Sequence, residues 1–153
     1  MIKLVRVDHR LIHGQVALSW TNSIKADCIL VANDAVVNDP LQKATLKMAC
    51  PHNIKVVIKN VEDSIKAIQS GKTDKYKLFI VVGSIGDAYK LISGVPEIEK
   101  LNLGGTKARE GTKNISKAIN VLPEEEEQLK ELAANGITIE IQQVPTDTIV
   151  NYK

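Results

Sequence analysis

Stretches rich in Ile, Val and Leu alternate with helix-patterned stretches from one end of the chain to the other, and few folds accept that alternation. The apolar runs are IKLVRV (Ile2 to Val7), CILVAN (Cys28 to Asn33), IKVVIK (Ile54 to Lys59), KLFIVVG (Lys77 to Gly83), EKLNLGG (Glu99 to Gly105), ISKAINV (Ile115 to Val121) and ITIEIQQV (Ile137 to Val144). Each is short and apolar enough to read as a strand. Most gaps carry helix signals: Asp39 before Pro40, Asn60 before Glu62 and Asp63, and Pro123 before the acidic run Glu124 to Glu127, with Gly71, Gly94 and Gly136 as stops. Strands joined by single helices cross over right-handed and lie parallel. The pattern therefore predicts a doubly wound α/β domain, a mainly parallel sheet of about seven strands with helices on both faces. The stretch joining NLGG to ISKAINV is polar, contains glycine and lacks an apolar helical stripe. Those two strands are expected to pair antiparallel and give the sheet a mixed edge. The closing PTDTIVNYK reads as a short tail.

A chain of 153 residues buries about two-thirds of its unfolded surface and can carry its own core, so residues 1–153 are read as one domain. Twenty basic against eighteen acidic residues leave a net charge of +2, too weak a field for binding by phosphate neutralisation. Aromatic residues make up 3% of the chain and offer no stacking platform for single strands, so no nucleic-acid partner is expected. Cys28 lies in a strand pattern and Cys50 near a helix end, which favours small buried side chains over a disulfide. Neither a leader pattern nor a run of about eighteen apolar residues is seen, so the cytoplasm is the expected location. The glutamates at 124–127 complement the free amides of a first helical turn more readily than they hold a metal.

The stretch VRVDHRLIHGQVALSW (Val5 to Trp20) carries the chemistry. The first strand ends at Val7, so Asp8 to Gly14 lies beyond a carboxyl end, where open α/β sheets gather ligands. From Gln15 to Ile24 a helix is expected with Val16, Trp20 and Ile24 on one face, which sets His13 and Gly14 at its amino terminus. Free amides there favour an anion. Arg10 adds a planar cationic fork suited to phosphate oxygens. Gly14 removes the side chain nearest the anion, and Gln15 contributes an amide in the first turn. Asp8 either fixes the tautomer of the His13 ring or caps the loop. His9 is read as a flanking group toward a partner.

Other readings of the two histidines fit less well. The spacing of His9 and His13 suits zinc only within a helix, and no third ligand stands nearby, so no metal is expected. No nucleophile elbow accompanies them, which disfavours a hydrolase. Asn33, Asp34 and Ser84 end neighbouring strands at the same sheet edge, with Ser84 a phosphate-binding candidate and Asp34 a supporting one. GGTKAREGTK (Gly104 to Lys113) departs from a nucleotide-binding P-loop, since Gly105 and Gly111 stand one residue too far apart and Gly111 precedes Thr112 rather than lysine. Its Lys107, Arg109 and Lys113, with Arg6 and Arg10, form a basic rim for an acidic docking face; solvation of a hairpin is an equal reading. A regulatory module binding an anionic metabolite without chemistry is the rival from another class.

These residues carry a family resemblance over essentially the whole chain. RVDHRLIHGQV (Arg6 to Val16), supported by VANDAVVNDP (Val31 to Pro40), NLGGT (Asn102 to Thr106) and GITIEIQQVP (Gly136 to Pro145), resembles the IIB component of the mannose/fructose/sorbose family of the bacterial sugar phosphotransferase system. The resemblance implies a cytoplasmic phosphoryl carrier associated peripherally with a membrane permease. It would take a phosphoryl group from the phosphohistidine of a IIA partner and pass it to a sugar arriving through the membrane IIC and IID subunits. His13 matches the family's phosphorylated histidine, modified at Nδ1, and Arg10 the arginine beside it. No cofactor is implied, and sugar choice falls largely to the membrane subunits. Where many members have an acidic residue after Asp8, this chain has His9. Monomer and homodimer both stay open.

Overall fold

The computed structural model describes residues 1–152, and its main sheet is built around the first strand. The strands are β1 (Ile2–Asp8), β2 (Cys28–Ala32), β3 (Lys55–Lys59), β4 (Leu78–Val82), β5 (Lys100–Gly105), β6 (Lys113–Ser116), β7 (Ile119–Val121), β8 (Thr138–Ile141) and β9 (Val150–Asn151). The helices are α1 (Gly14–Ile24), α2 (Pro40–Ala49), α3 (Val61–Gln69), α4 (Ile85–Gly94) and α5 (Pro123–Ala134). The main sheet runs β3-β2-β4-β1-β5-β8-β9. Its first six strands are parallel, and β9 pairs antiparallel with β8.

Strand order and crossover handedness fix the layers. The connections from β1 to β2 and from β2 to β3 move toward one edge, whereas those from β3 to β4, β4 to β5 and β5 to β8 move toward the other. Right-handed crossovers therefore place α1 and α2 on one face and α3, α4 and α5 on the other. The buried side chains sort accordingly. Ala17, Trp20 and Leu46 join Leu4, Ile29, Val31, Phe79 and Val81 in one cluster. Val61, Ile68, Leu91 and Leu129 join Val5, Val7, Leu30, Ile80, Val82 and Leu103 in the other. β2 and β4 are buried along their whole length, the state of parallel strands covered on both faces. Each fully buried Val, Leu or Ile contributes roughly 1.5–3 kcal/mol.

Neighbouring β1 and β4 send their chains to opposite edges and faces, so a crevice opens beyond their carboxyl ends. The loops after β1 and β4 meet there: a Cβ placed on Gly83 would stand 3.5 Å from Cδ2 of Leu11.

The expected strand at 115–121 is different. A left-handed residue, Ala118 (φ 63), breaks it into the antiparallel hairpin β6–β7, which forms a separate two-stranded sheet. β5 cannot pair with it, because both its edges are taken by β1 and β8. Thr106 instead anchors the hairpin to the end of β5: its amide donates to the Ala118 carbonyl (2.8 Å) and its hydroxyl to the Asn120 carbonyl (2.8 Å). The antiparallel edge of the main sheet comes from the tail, as β9.

Candidate functional site

After Asp8 the chain must turn from the sheet edge back over the α1 face, and two apolar residues steer it. Leu11 and Ile12 are buried in the α1-face cluster. Leu11 adopts a left-handed backbone (φ 62), a conformation that costs a non-glycine residue roughly 1–2 kcal/mol, and its amide donates to the Asp8 carbonyl at 2.9 Å. With these two side chains drawn inward, Arg10 and His13 on either side stay at the surface.

His13 is the residue that leads into α1. Its backbone is extended (φ −123, ψ 99), it makes no side-chain capping bond, and the first turn of α1 has no acidic side chain. The leading amides of the helix thus lack partners from its own cap. Gly14 and Gln15 are exposed, and a Cβ on Gly14 would meet no atom within 4 Å. The fold does not demand glycine there, so the space beside the helix end is open.

Arg10 is held by Asp8. Its Nε donates to Asp8 Oδ1 and its Nη2 to Oδ2, both at 3.0 Å, and its backbone amide also reaches Oδ1 at 3.0 Å. The remaining nitrogen, Nη1, lies 3.5 Å from Nδ1 of His13. Asp8 is 1% exposed. Burial pushes its carboxyl up, but the hydrogen bonds from Arg10 and the charges of Arg6 and Arg10 outweigh this and hold it below the usual carboxylate range. Of its two expected roles, Asp8 fills the second: it caps the loop and orients Arg10, and makes no bond to the His13 ring.

Arg6 corrects an expectation outright. It is 1% exposed, so it cannot belong to a docking rim. Strand side chains alternate, which points Arg6 and Asp8 to the same face, and Arg6 Nη2 lies 3.5 Å from Asp8 Oδ2. Its fork also donates to the side-chain oxygen of Asn102 and to the carbonyls of Gln142 (2.9 Å) and Gln143 (2.7 Å). The guanidinium sits 4.9 Å from the centre of the Trp20 ring. Burial lowers its pKa to about 10. The sequence reading missed Asn102 and Gln142, although an arginine and an aspartate two apart in a strand already signal a shared face.

The other candidates divide. Ser84 follows β4 and caps α4, its hydroxyl accepting from the Asp87 amide (3.1 Å). Asp34 accepts from the Val61 amide (2.9 Å) and so fixes the start of α3; it lines a cleft of about 560 Å³ with Asn38, Asn60, Glu62 and Lys90, to which no residue of 8–15 contributes. His9 is exposed, its amide donating to the Gly105 carbonyl (3.0 Å) and its ring close to Gly105. Lys107 is exposed. Arg109 is paired at 2.8 Å with Glu125 and Lys113 at 2.9 Å with Glu126, so the acidic start of α5 already engages two of the expected rim cations. Among the described residues no group of three or more His, Cys, Asp or Glu is placed to hold a metal, and no helix is long and apolar enough to cross a membrane.

An imidazole offered on an exposed loop of a doubly wound domain suits a carrier that meets its partners at the surface, rather than an enzyme that encloses a small substrate. Known proteins agree. Residues 2–153 match the family model described as the PTS (phosphotransferase system) sorbose subfamily IIB component. The sorbose-specific EIIB component of Lacticaseibacillus casei is 34% identical over 96% of this chain and 90% of its own length. The mannose-specific EIIAB component of Escherichia coli is 31% identical over 96% of this chain and 46% of its own length. The crystal structure of the IIBSor domain of the sorbose permease from Klebsiella pneumoniae superposes with a TM-score of 0.93 at 30% identity, covering 99% of this chain and 93% of that one. The chain belongs to the sorbose-subfamily IIB components, the phosphoryl-carrier subunits of sugar phosphotransferase systems.

Proposed function

We propose that this chain carries the phosphoryl group on Nδ1 of His13, taking it from a phosphorylated IIA protein and giving it to a sugar held by membrane IIC and IID subunits. The observation that carries the reading is the exposed imidazole at the uncapped amino end of α1, with Arg10 Nη1 3.5 Å from Nδ1. A neutral ring attacks through the Nδ1 lone pair. The new N–P bond forms as the bond from phosphorus to the donor's imidazole nitrogen breaks. The electron pair of that bond returns to the donor ring, which takes up a proton while the His13 ring gives one up. Arg10 and the free amides of Gly14 and Gln15 face the charge of the transferred group, where fixed donors stabilise a phosphoryl transition state without reorganising.

The EIIAB name of the Escherichia coli relative, which joins A and B components in one protein, supports a IIA partner. Arg10, His9 and Lys107 remain as the surface groups for its acidic face. A peripheral position on the cytoplasmic side of the permease follows from that partnership. The test mixes the protein with phosphoenolpyruvate, the general phosphotransferase proteins and a matched IIA, then localises acid-labile, alkali-stable phosphate by mass spectrometry. Label on His13 that disappears in His13→Ala is expected; label persisting in that variant refutes the assignment. Arg10→Ala is expected to fold and to slow transfer on the order of 10²-fold or more, the usual effect of removing one preorganised donor, and an unchanged rate removes Arg10 from the mechanism.

A further inference from the structure

Arg6 is a charged side chain placed where charge is expensive, and its surroundings are arranged for it. Gly104 leaves the room: a Cβ there would fall 2.1 Å from the Arg6 guanidinium carbon. The carbonyls of Gln142 and Gln143, the latter also accepting from Trp20 Nε1 (3.1 Å), hold the fork. A strand could satisfy its core with an aliphatic residue at this position, and replacing buried ion pairs by apolar residues is often neutral or stabilising. The arrangement therefore calls for a reason other than stability.

The reason lies in the charge count along one face. Arg6, Asp8 and Arg10 form a chain of two cations and one anion, from a buried end at Arg6 to Arg10, whose side chain is 36% exposed. If Asp8 had Arg10 alone, the pair would be neutral and the guanidinium beside His13 would reach a phosphoryl group already cancelled. Sharing Asp8 with Arg6 leaves one net positive charge, expressed at the Arg10 end. The other carboxylate near Arg6, Asp147, is exposed and accepts from the Gln143 and Val144 amides, so water screens it. We propose that Arg6 is a positioning residue for phosphoryl transfer: it takes up the charge of Asp8 from inside the sheet, so that Asp8 orients Arg10 toward His13 without neutralising it.

This inference rests on His13 being the phosphorylated residue, and the experiment separates the two claims. The whole chain is phosphorylated with phosphoramidate, a small donor that needs no docking surface, and the rate is read by intact mass for wild type, His13→Ala, Arg6→Met, Arg6→Lys and the double variant Arg6→Met with Asp8→Asn. Thermal melts accompany each rate. Arg6→Met is expected to be slower on the order of tenfold, the scale of one unit charge acting through a partly screened path. Arg6→Lys, which keeps the charge, is expected within about threefold of wild type on the same scale. The double variant removes the anion with its cation, while the amide oxygen of the Asp8→Asn side chain still accepts from Arg10 in place of Oδ1; it is expected to recover part of the lost rate, which a purely structural role of Arg6 does not predict. A folded Arg6→Met at the wild-type rate, or a double variant no faster than Arg6→Met, overturns the inference. Should Arg6→Met fail to fold, a folded Arg6→Lys slowed by about tenfold or more overturns it on the same scale. Label that survives in His13→Ala refutes the phosphohistidine reading itself, and this inference with it.

Discussion

Helices α1 and α4 leave the same sheet edge from adjacent strands, yet their amino ends are finished in opposite ways. At α4, Ser84 accepts from the Asp87 amide and Asp87 places an acid in the first turn. At α1, His13 makes no capping bond and no acid follows. Both sequences begin a helix equally well from the viewpoint of packing, since each buries an apolar stripe against its own face of the sheet. The difference shows that a closed helix end is a stability device, whereas an open one leaves amides for something else to satisfy. A helix whose cap position is spent on an imidazole gives up about 1 kcal/mol that Ser, Asp or Asn would supply.

Three experiments test that contrast. The largest effect is expected for His13→Ser, which should close α1 as Ser84 closes α4: phosphoryl labelling falls to background while stability in urea rises by roughly 0.5–1 kcal/mol. A variant that loses label without gaining stability would mean that the open end costs nothing. Gly14→Ala comes next. Its φ is not in the left-handed range and its Cβ has free space, so the helix should gain about 0.4–1 kcal/mol, while the methyl group beside the anion slows labelling about tenfold, equivalent to one weakened contact. Labelling at the wild-type rate would place the phosphoryl group away from the helix end.

The smallest effect is in acid. Because the Asp8 carboxyl is held below its usual range in the fold, the folded state holds fewer protons than the unfolded one as pH falls past about 3.9. Stability from this group is therefore full above that value and is lost as pH drops through the depressed folded pKa. Denaturation curves of wild type and Asp8→Asn should converge in that window. Curves that stay parallel would show that the Arg6–Asp8–Arg10 chain does not depend on the carboxylate.

Much of this was legible from residue patterns. The boundaries of α2, α3 and α5 carry their caps in the sequence, with Asp39 and Asn60 accepting from the third amide onward (Gln42 at 3.0 Å, Asp63 at 2.6 Å) and Glu125 reaching back to the Leu122 amide at 2.8 Å. His13 and Gly14 were placed at a helix start by a strand ending and an amphipathic run beginning, both local signals. What local signals could not supply was the fate of 115–121, because whether a short apolar run joins a sheet depends on whether the neighbouring edge is free. The burial of Arg6 is hidden from local signals for a related reason. A charge in a strand reads as exposed unless its partners are known, and Asn102 and Gly104 come from β5 while Gln142 and Gln143 come from the loop after β8, far along the chain.

Residue order alone dictates the class of fold, the alternation of strands and helices, and the meeting of an imidazole, an arginine and a glycine within five residues at a strand-to-helix junction. These depend on backbone periodicity and on groups close in the chain, where geometry follows from spacing. Long-range packing set which edge each strand took, that β9 closes the sheet, and that Asp8 lies between Arg10 and a buried Arg6. Those outcomes rest on competition for hydrogen-bonding edges and on desolvation, and both are settled by residues that meet only when the chain has folded.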